Sequence, residues 1–220
     1  MKRTFLTEKE LRNIAPGSPC YVVKGTCLTP LALEFAAQRG NTIIECDTPE
    51  EIQRLKAFDK RLALGAAASQ RELGQKIRSL LQENGYLVCE CVANNSQDEP
   101  GNVLGVAQMV QSGQVCSGIW LDEDGIGSTI LANKCPGIRA VHCCDRQTAR
   151  VSRERHGANL LVLADPGLNV DLAAMVVTTW LSAASTRARH SPEILLLEEV
   201  ERKYLRETIV AVPGDCSCAL

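Results

Sequence analysis

Ser117-Gly118-Ile119-Trp120-Leu121-Asp122-Glu123-Asp124-Gly125-Ile126-Gly127-Ser128-Thr129-Ile130-Leu131-Ala132-Asn133-Lys134 is the stretch that decides the fold. Gly118 to Leu121 reads as a central strand, and the run that ends at Lys134 reads as a helix directly behind a glycine turn. Gly125 and Gly127 let the backbone come close to a ligand. The first amides of the helix lack intrahelical partners, so the turn can cradle a phosphate or a developing enolate. A Gly-x-Gly pair also makes a plain tight turn, so the surrounding residues have to decide between the two.

Working outward, the chain alternates. Strands are expected near 61-66, 86-92, 117-122, 138-143 and 159-164, with helices near 69-84, 102-112, 126-134 and 145-156, and two more near 168-185 and 190-205. Such alternation predicts an α/β fold: a Rossmann-like five-stranded parallel sheet with helices on both faces, and a ligand crevice at the carboxyl ends of the strands. Ahead of it lies a small α+β unit over 1-46. Thr7-Glu8-Lys9-Glu10 is a capping box, Cys20-Tyr21-Val22-Val23 is strand-like, Thr29-Pro30 opens a helix that ends at Gly40, and Thr42 to Cys46 returns as a strand. A unit of this size is near the lower limit for independent stability, so it is expected to dock on something. Residues 47-60 form a linker, itself helical from Thr48-Pro49-Glu50-Glu51, 61-205 the main domain, and 206-220 a tail with Cys216 and Cys218.

Composition narrows the function. The 220 residues are 45% hydrophobic, 23% charged and 4% aromatic, with a formal net charge of -2. That suits a soluble globular protein with an aliphatic core and gives no electrostatic footprint for nucleic acid. No apolar run reaches membrane-spanning length and no signal-peptide core is present, so a cytoplasmic location is expected. Eleven cysteines are present without a Cys-x-x-Cys spacing. Most, including Cys89, Cys91, Cys143 and Cys144, are expected to be core thiols, and no metal centre or cofactor is expected. The terminal Cys216-Ser217-Cys218 is either a passive tail or a site for a soft metal or a disulfide.

Gly125-Ile126-Gly127, Ala132-Asn133-Lys134, Pro136-Gly137-Ile138-Arg139-Ala140, Thr148-Ala149-Arg150 and Ala158-Asn159-Leu160-Leu161, followed by a helix ending Trp180-Leu181, resemble the ribose-5-phosphate isomerase B and galactose-6-phosphate isomerase family. The resemblance covers roughly 61-205 in the family's order and spacing. It implies an aldose-ketose isomerase acting on a phosphorylated sugar or related metabolite, with a site shared between the subunits of a homodimer, a tetramer being the alternative. It also implies substrate contacts from Asp124, Gly125, Ile126, Gly127, Asn133, Arg155 and Arg189. The chemistry has been altered residue by residue. The family's Gly-Ser-Asp-His-Ala-Gly is Gly65-Ala66-Ala67-Ala68-Ser69-Gln70 here, and its Cys-Gly-Thr-Gly, with the cysteine as base, is Asp122-Glu123-Asp124-Gly125. The alternative glutamate base of other members falls at Ser128, and the family's ring-opening histidine falls at Arg155, with His156 beside it.

An isomerase needs one base, a group that polarises the carbonyl and donors for the oxyanion. Asp122 is the candidate base, if burial and the neighbouring Glu123 and Asp124 raise its pKa. His156 is the candidate ring opener, supplied by the partner subunit. The plainer reading is a solvated acidic loop and a helix-end histidine. Arg146, Arg150 and Arg153 share a predicted helical face, which is either solvated or available to neutralise an anion. Phe5-Leu6-Thr7-Glu8 and Leu28-Thr29-Pro30-Leu31-Ala32 resemble the N-terminal segment of bacterial microcompartment proteins. That implies shell or cargo partners through residues 1-46 and a place inside such a compartment. A non-catalytic metabolite-binding or scaffold protein is the alternative to an enzyme.

Overall fold

The computed structural model describes residues 5–14, 19–91, 99–164, 169–183 and 192–204. The N-terminal unit comprises β1 (Phe5–Leu6), α1 (Glu8–Leu11), β2 (Cys20–Val23), β3 (Cys27–Leu28), α2 (Pro30–Arg39), β4 (Ile43–Cys46) and α3 (Pro49–Phe58). Its helix ends follow the sequence closely. The Glu10 carboxylate accepts from the Thr7 N–H at 2.8 Å, the Thr29 hydroxyl accepts from the Ala32 N–H at 3.2 Å, and Gly40 ends α2 at φ 68°. Two parallel pairs form, β1 with β3 and β2 with β4. Leu11, Cys20, Val22, Ala32 and Ala36 make a small core of their own. The expected linker is helix α3, which packs against β2 and β4, and Tyr21 donates to the Asp59 carboxylate just beyond its end.

The main domain follows as β5 (Arg61–Ala66), α4 (Arg71–Glu83), β6 (Leu87–Glu90), α5 (Glu99–Gln111), β7 (Ser117–Leu121), α6 (Ile126–Ala132), β8 (Ala140–His142), α7 (Arg146–Glu154), β9 (Leu160–Leu163), α8 (Val170–Ser182) and α9 (Pro192–Tyr204). The five strands form one parallel sheet in the order β6-β5-β7-β9-β8. Every expected element of the domain is present, with ends that agree to within a few residues.

Side chains alternate across this sheet, as the pleat requires. Leu62, Leu64, Ile119, Leu121, Leu161 and Leu163 face α4, α7 and α8, whereas Ala63, Trp120, Leu160 and Val162 face α5 and α6. Trp120 explains the small residue beside it, because a Cβ on Gly65 would lie 2.6 Å from its ring. On the opposite face, the Arg153 guanidinium stacks 4.2 Å from the Trp180 ring centroid and donates to the Ala158 carbonyl. The shared arginine face expected of α7 is thus divided: Arg146 and Arg150 are exposed, while Arg153 is drawn inward by a tryptophan on another helix. The expectation of core thiols also needs correction. Cys143 is fully buried, but Cys144 is exposed, because β8 ends at His142 and the chain is already turning into α7.

Candidate functional site

Neighbouring strands β5 and β7 send their connections to opposite sides of the sheet, so a crevice opens between their carboxyl ends. From β5 it receives Ala67, Ala68, Ser69 and Gln70, which bring neither an acid nor an imidazole. From β7 it receives the loop Asp122 to Gly127. Strand pairing fixes the base of that loop, since the Asp122 N–H donates to the Leu163 carbonyl at 2.9 Å and the Ala67 N–H to the Leu121 carbonyl at 2.8 Å.

The loop's own acids fold back on it. Asp122 is half-buried and its Oδ1 accepts from the Glu123 N–H at 2.9 Å; Asp124 is exposed and its Oδ1 accepts from the Ile126 N–H at 2.8 Å. The first amide of α6 therefore already holds a carboxylate. The next two amides, of Gly127 and Ser128, find no acceptor among the described residues. The two glycines differ. Gly125 has φ +70°, and a Cβ there would lie 2.8 Å from His142 Cδ2 and 3.0 Å from Ala164 Cβ; at Gly127 a Cβ would meet nothing within 4 Å. Gly125 is required by packing and by backbone conformation, while Gly127 leaves open space over the amides.

The remaining expected residues are placed elsewhere. Asn133 uses its amide as a bracket: Nδ2 donates to the Thr129 and Ala140 carbonyls, and Oδ1 accepts from the Ala140 N–H. That ties the end of α6 to edge strand β8 and leaves no N–H for a ligand. Arg155 and His156 are exposed just past the end of α7. A helix joining parallel strands runs back along the sheet, so they lie at the amino edge, at least one strand length from the loop of their own chain. One chain does not bring Asp122 and His156 together. His156 instead lines an open groove of about 490 Å³ along α7 with Val141, Asp145, Gln147, Thr148, Val151 and Ser152. At the head of that groove the Asp145 carboxyl is held below its usual pKa, chiefly by the Thr148 backbone N–H, then by the Thr148 hydroxyl and the Gln147 N–H. Arg189 lies outside the described residues.

His142 is a residue that reading the sequence missed. Its Nε2 lies 2.7 Å from the Ala164 carbonyl, and its ring packs against Gly125, directly under the loop. The available signal was a histidine on the last residue of a parallel strand, where ligand crevices form. Among the described residues, no group of three or more potential metal ligands converges.

Comparison with known proteins accords with this architecture. The ribose-5-phosphate isomerase B of Escherichia coli (strain K12) is 32% identical over 146 residues, 66% of this chain and 98% of that protein. The D-erythrulose-4-phosphate isomerase of Pectobacterium atrosepticum is 28% identical over 136 residues, 60% of this chain and 90% of that protein. Among solved structures, the ribose-5-phosphate isomerase B of Clostridium thermocellum superposes with a TM-score of 0.61 at 36% identity, covering 66% of this chain and 99% of that one. A family model described as Ribose/Galactose Isomerase matches residues 62–197. Sequence and superposition thus agree, and the chain belongs to the ribose/galactose isomerase family.

Proposed function

We propose that this protein binds a phosphorylated sugar or a closely related metabolite at the carboxyl edge of its sheet, in a site completed by a second copy, and interconverts its aldose and ketose forms. The observation that carries the reading is the loop geometry: Gly125 at φ +70°, open space at Gly127, and the amides of Gly127 and Ser128 without an acceptor among the described residues. In this mechanism Asp122 leaves its own-loop hydrogen bond and removes the proton from the carbon beside the carbonyl. The two amides hold the resulting enediolate, and the proton is returned at the adjacent carbon. The partner subunit's His156 assists ring opening, and the partner subunit's Arg155 lies over the acidic loop.

Two features favour a dimer. Asp122 and His156 sit at opposite edges of one sheet, and apolar side chains are exposed on α6 (Ile126, Ile130) and α9 (Leu196, Val200). Large exposed apolar groups of this kind mark contact surfaces. A non-catalytic binding or scaffold role is the second reading, favoured by the Asp124 carboxylate that already fills the Ile126 amide and by the Ala67-Ala68 pair at the end of β5. On either reading residues 1–46 are proposed to contact microcompartment shell or cargo proteins, with Phe5, Leu31 and Leu33 exposed for that contact. The family match begins at residue 62, so this part rests on the sequence resemblance.

The test is an isomerase assay with ribose 5-phosphate, allose 6-phosphate and galactose 6-phosphate, run beside Asp122→Asn, with sedimentation velocity for the assembly state. Turnover that is lost in the variant supports the enzyme. Calorimetric binding without turnover supports the second reading, and neither binding nor turnover removes the proposed ligand class.

A further inference from the structure

The main sheet ends on a strand with an open side. β8 stands last in the strand order and pairs only with β9. The Cys143 N–H donates to the Val162 carbonyl, so by alternation the main-chain groups of Ala140 and His142 point away from β9. Asn133 takes both groups of Ala140, which leaves the N–H and carbonyl of His142 without a partner among the described residues. Beside this edge, on the face that carries α7, lies the open groove of about 490 Å³. Val141 and Val151 give it a half-buried apolar floor, with Asp145 at its carboxyl end and His156 at its amino end. Unpaired strand edges are liabilities that proteins blunt or cover.

The chain itself supplies a cover. α9 ends at Tyr204, and its Glu201 carboxylate accepts from the Gly137 N–H at 3.1 Å, three residues ahead of Ala140, the first residue of β8. Helix α9 therefore delivers the chain to the amino end of the edge strand. Residues 205–220 lie outside the described residues, and their sequence includes Thr208-Ile209-Val210-Ala211-Val212-Pro213-Gly214. Four of the five residues 208–212 are β-branched, and Pro213 both closes the run and biases Val212 toward extended backbone. From Tyr204 to Thr208 the chain spans up to about 14 Å, enough to pass from the Gly137 turn to the groove. Five extended residues cover about 16 Å, and so does the helical path from Asp145 to His156. We propose that residues 208–212 of the same chain dock along β8 as a sixth, parallel strand. One alternate set of side chains, Ile209 with Ala211 or Val210 with Val212, fills the groove over Val141 and Val151. The main-chain groups of His142 supply the pairing, and the docking is independent of isomerase activity.

Hydrogen exchange read by mass spectrometry on the full chain tests this, beside chains that stop after Tyr204 or after Gly214. In the full chain, amides of residues 208–212 should exchange about tenfold or more slowly than in a free peptide of the same sequence. The His142 amide should lose protection in the chain that stops after Tyr204 and keep it in the chain that stops after Gly214. Ile209→Asp and Val210→Asp place a charge on opposite sides of a strand, so one should abolish the protection of 208–212 and the other leave most of it. Exchange of 208–212 at the free-peptide rate overturns the proposal, and equal loss in the two aspartate variants overturns the strand. Protection of 208–212 that falls on about hundredfold dilution overturns docking within one chain and assigns the groove to a second copy.

Discussion

Replacing each loop glycine by alanine should move stability in opposite directions. Gly125 sits at φ +70°, a left-handed conformation that costs an L-residue about 1–2 kcal/mol. Its new methyl would also lie 2.8 Å from His142 Cδ2, 3.0 Å from Ala164 Cβ and 3.1 Å from His142 Nε2. Relief requires His142 to move off the Ala164 carbonyl, and overpacking of this kind costs about 1–3 kcal/mol. Together the destabilisation of Gly125→Ala should be about 2–5 kcal/mol. Gly127 lies inside α6, where a methyl meets nothing, so Gly127→Ala should stabilise by about 0.5–1 kcal/mol through helix propensity alone. Urea unfolding at one fixed protein concentration measures both, because self-association would otherwise enter the result. In a His142→Ala background the imidazole's share of the steric cost of Gly125→Ala should vanish, leaving the conformational share of about 1–2 kcal/mol and the contact with Ala164 Cβ. The reasoning fails if Gly125→Ala costs less than about 1 kcal/mol, or if its cost is the same with and without His142.

Asp145→Ala should cost about 1 kcal/mol of stability by removing the cap of α7. Because the Thr148 and Gln147 donors depress its pKa, the Asp145 contribution is present above the ordinary carboxylate pKa and is lost as pH falls through the lower folded value. Urea midpoints of the native and variant proteins should therefore converge in acid. Asn133→Ala should cost about 2 kcal/mol, since it leaves both the N–H and the carbonyl of Ala140 without their side-chain partner, and hydrogen exchange at β8 should accelerate. Asp124→Asn keeps an acceptor for the Ile126 amide but removes its charge. It should lower the loop's repulsion of inorganic phosphate by about 1 kcal/mol, read by calorimetry as tighter binding than to the native protein, and no change would mean that an anion does not feel the Asp124 charge.

The main sheet was legible because its signals are local. The runs Ser117–Leu121 and Leu160–Leu163 are wholly buried and bounded by turns, and Gly85, Gly113, Gly137 and Gly157 take positive φ between the elements. Boundaries near Thr29, Thr48 and Asp145 were visible because capping side chains bond amides two or three residues ahead. The site was less legible because its decisive contacts are distant in sequence. Nothing near Asn133 announces that its amide will bracket Ala140, nothing near Arg153 points to Trp180, and the pressure of His142 on Gly125 exists only once β7, β8 and β9 lie side by side. The resemblance supplied positions for ligand contacts but not the conformations of substituted side chains. That Asp122 and Asp124 turn back onto the amides of Glu123 and Ile126 is a property of the folded loop.

That turning back bears on which end of a sugar phosphate could face the loop. Two unit charges at 4 Å interact by about 1 kcal/mol in bulk water and about 4 kcal/mol at the effective dielectric of a protein surface. A phosphate group set against Asp122, Glu123 and Asp124 would meet three such repulsions. The amides of Gly127 and Ser128 could offset them only in part, since even a hydrogen bond to a charged group contributes about 1.5–3 kcal/mol. On the proposed reading, then, the phosphate lies away from the loop and the hydroxylated, carbonyl-bearing end faces it. On that reading a guanidinium group balances the phosphate, and Arg155 is exposed at the far edge of the same sheet. A second copy that brings that edge over the loop would place cation, base and amides around one ligand. The acidity of the loop thus argues for a shared site more strongly than a neutral loop would, because the loop itself offers the phosphate three repulsions.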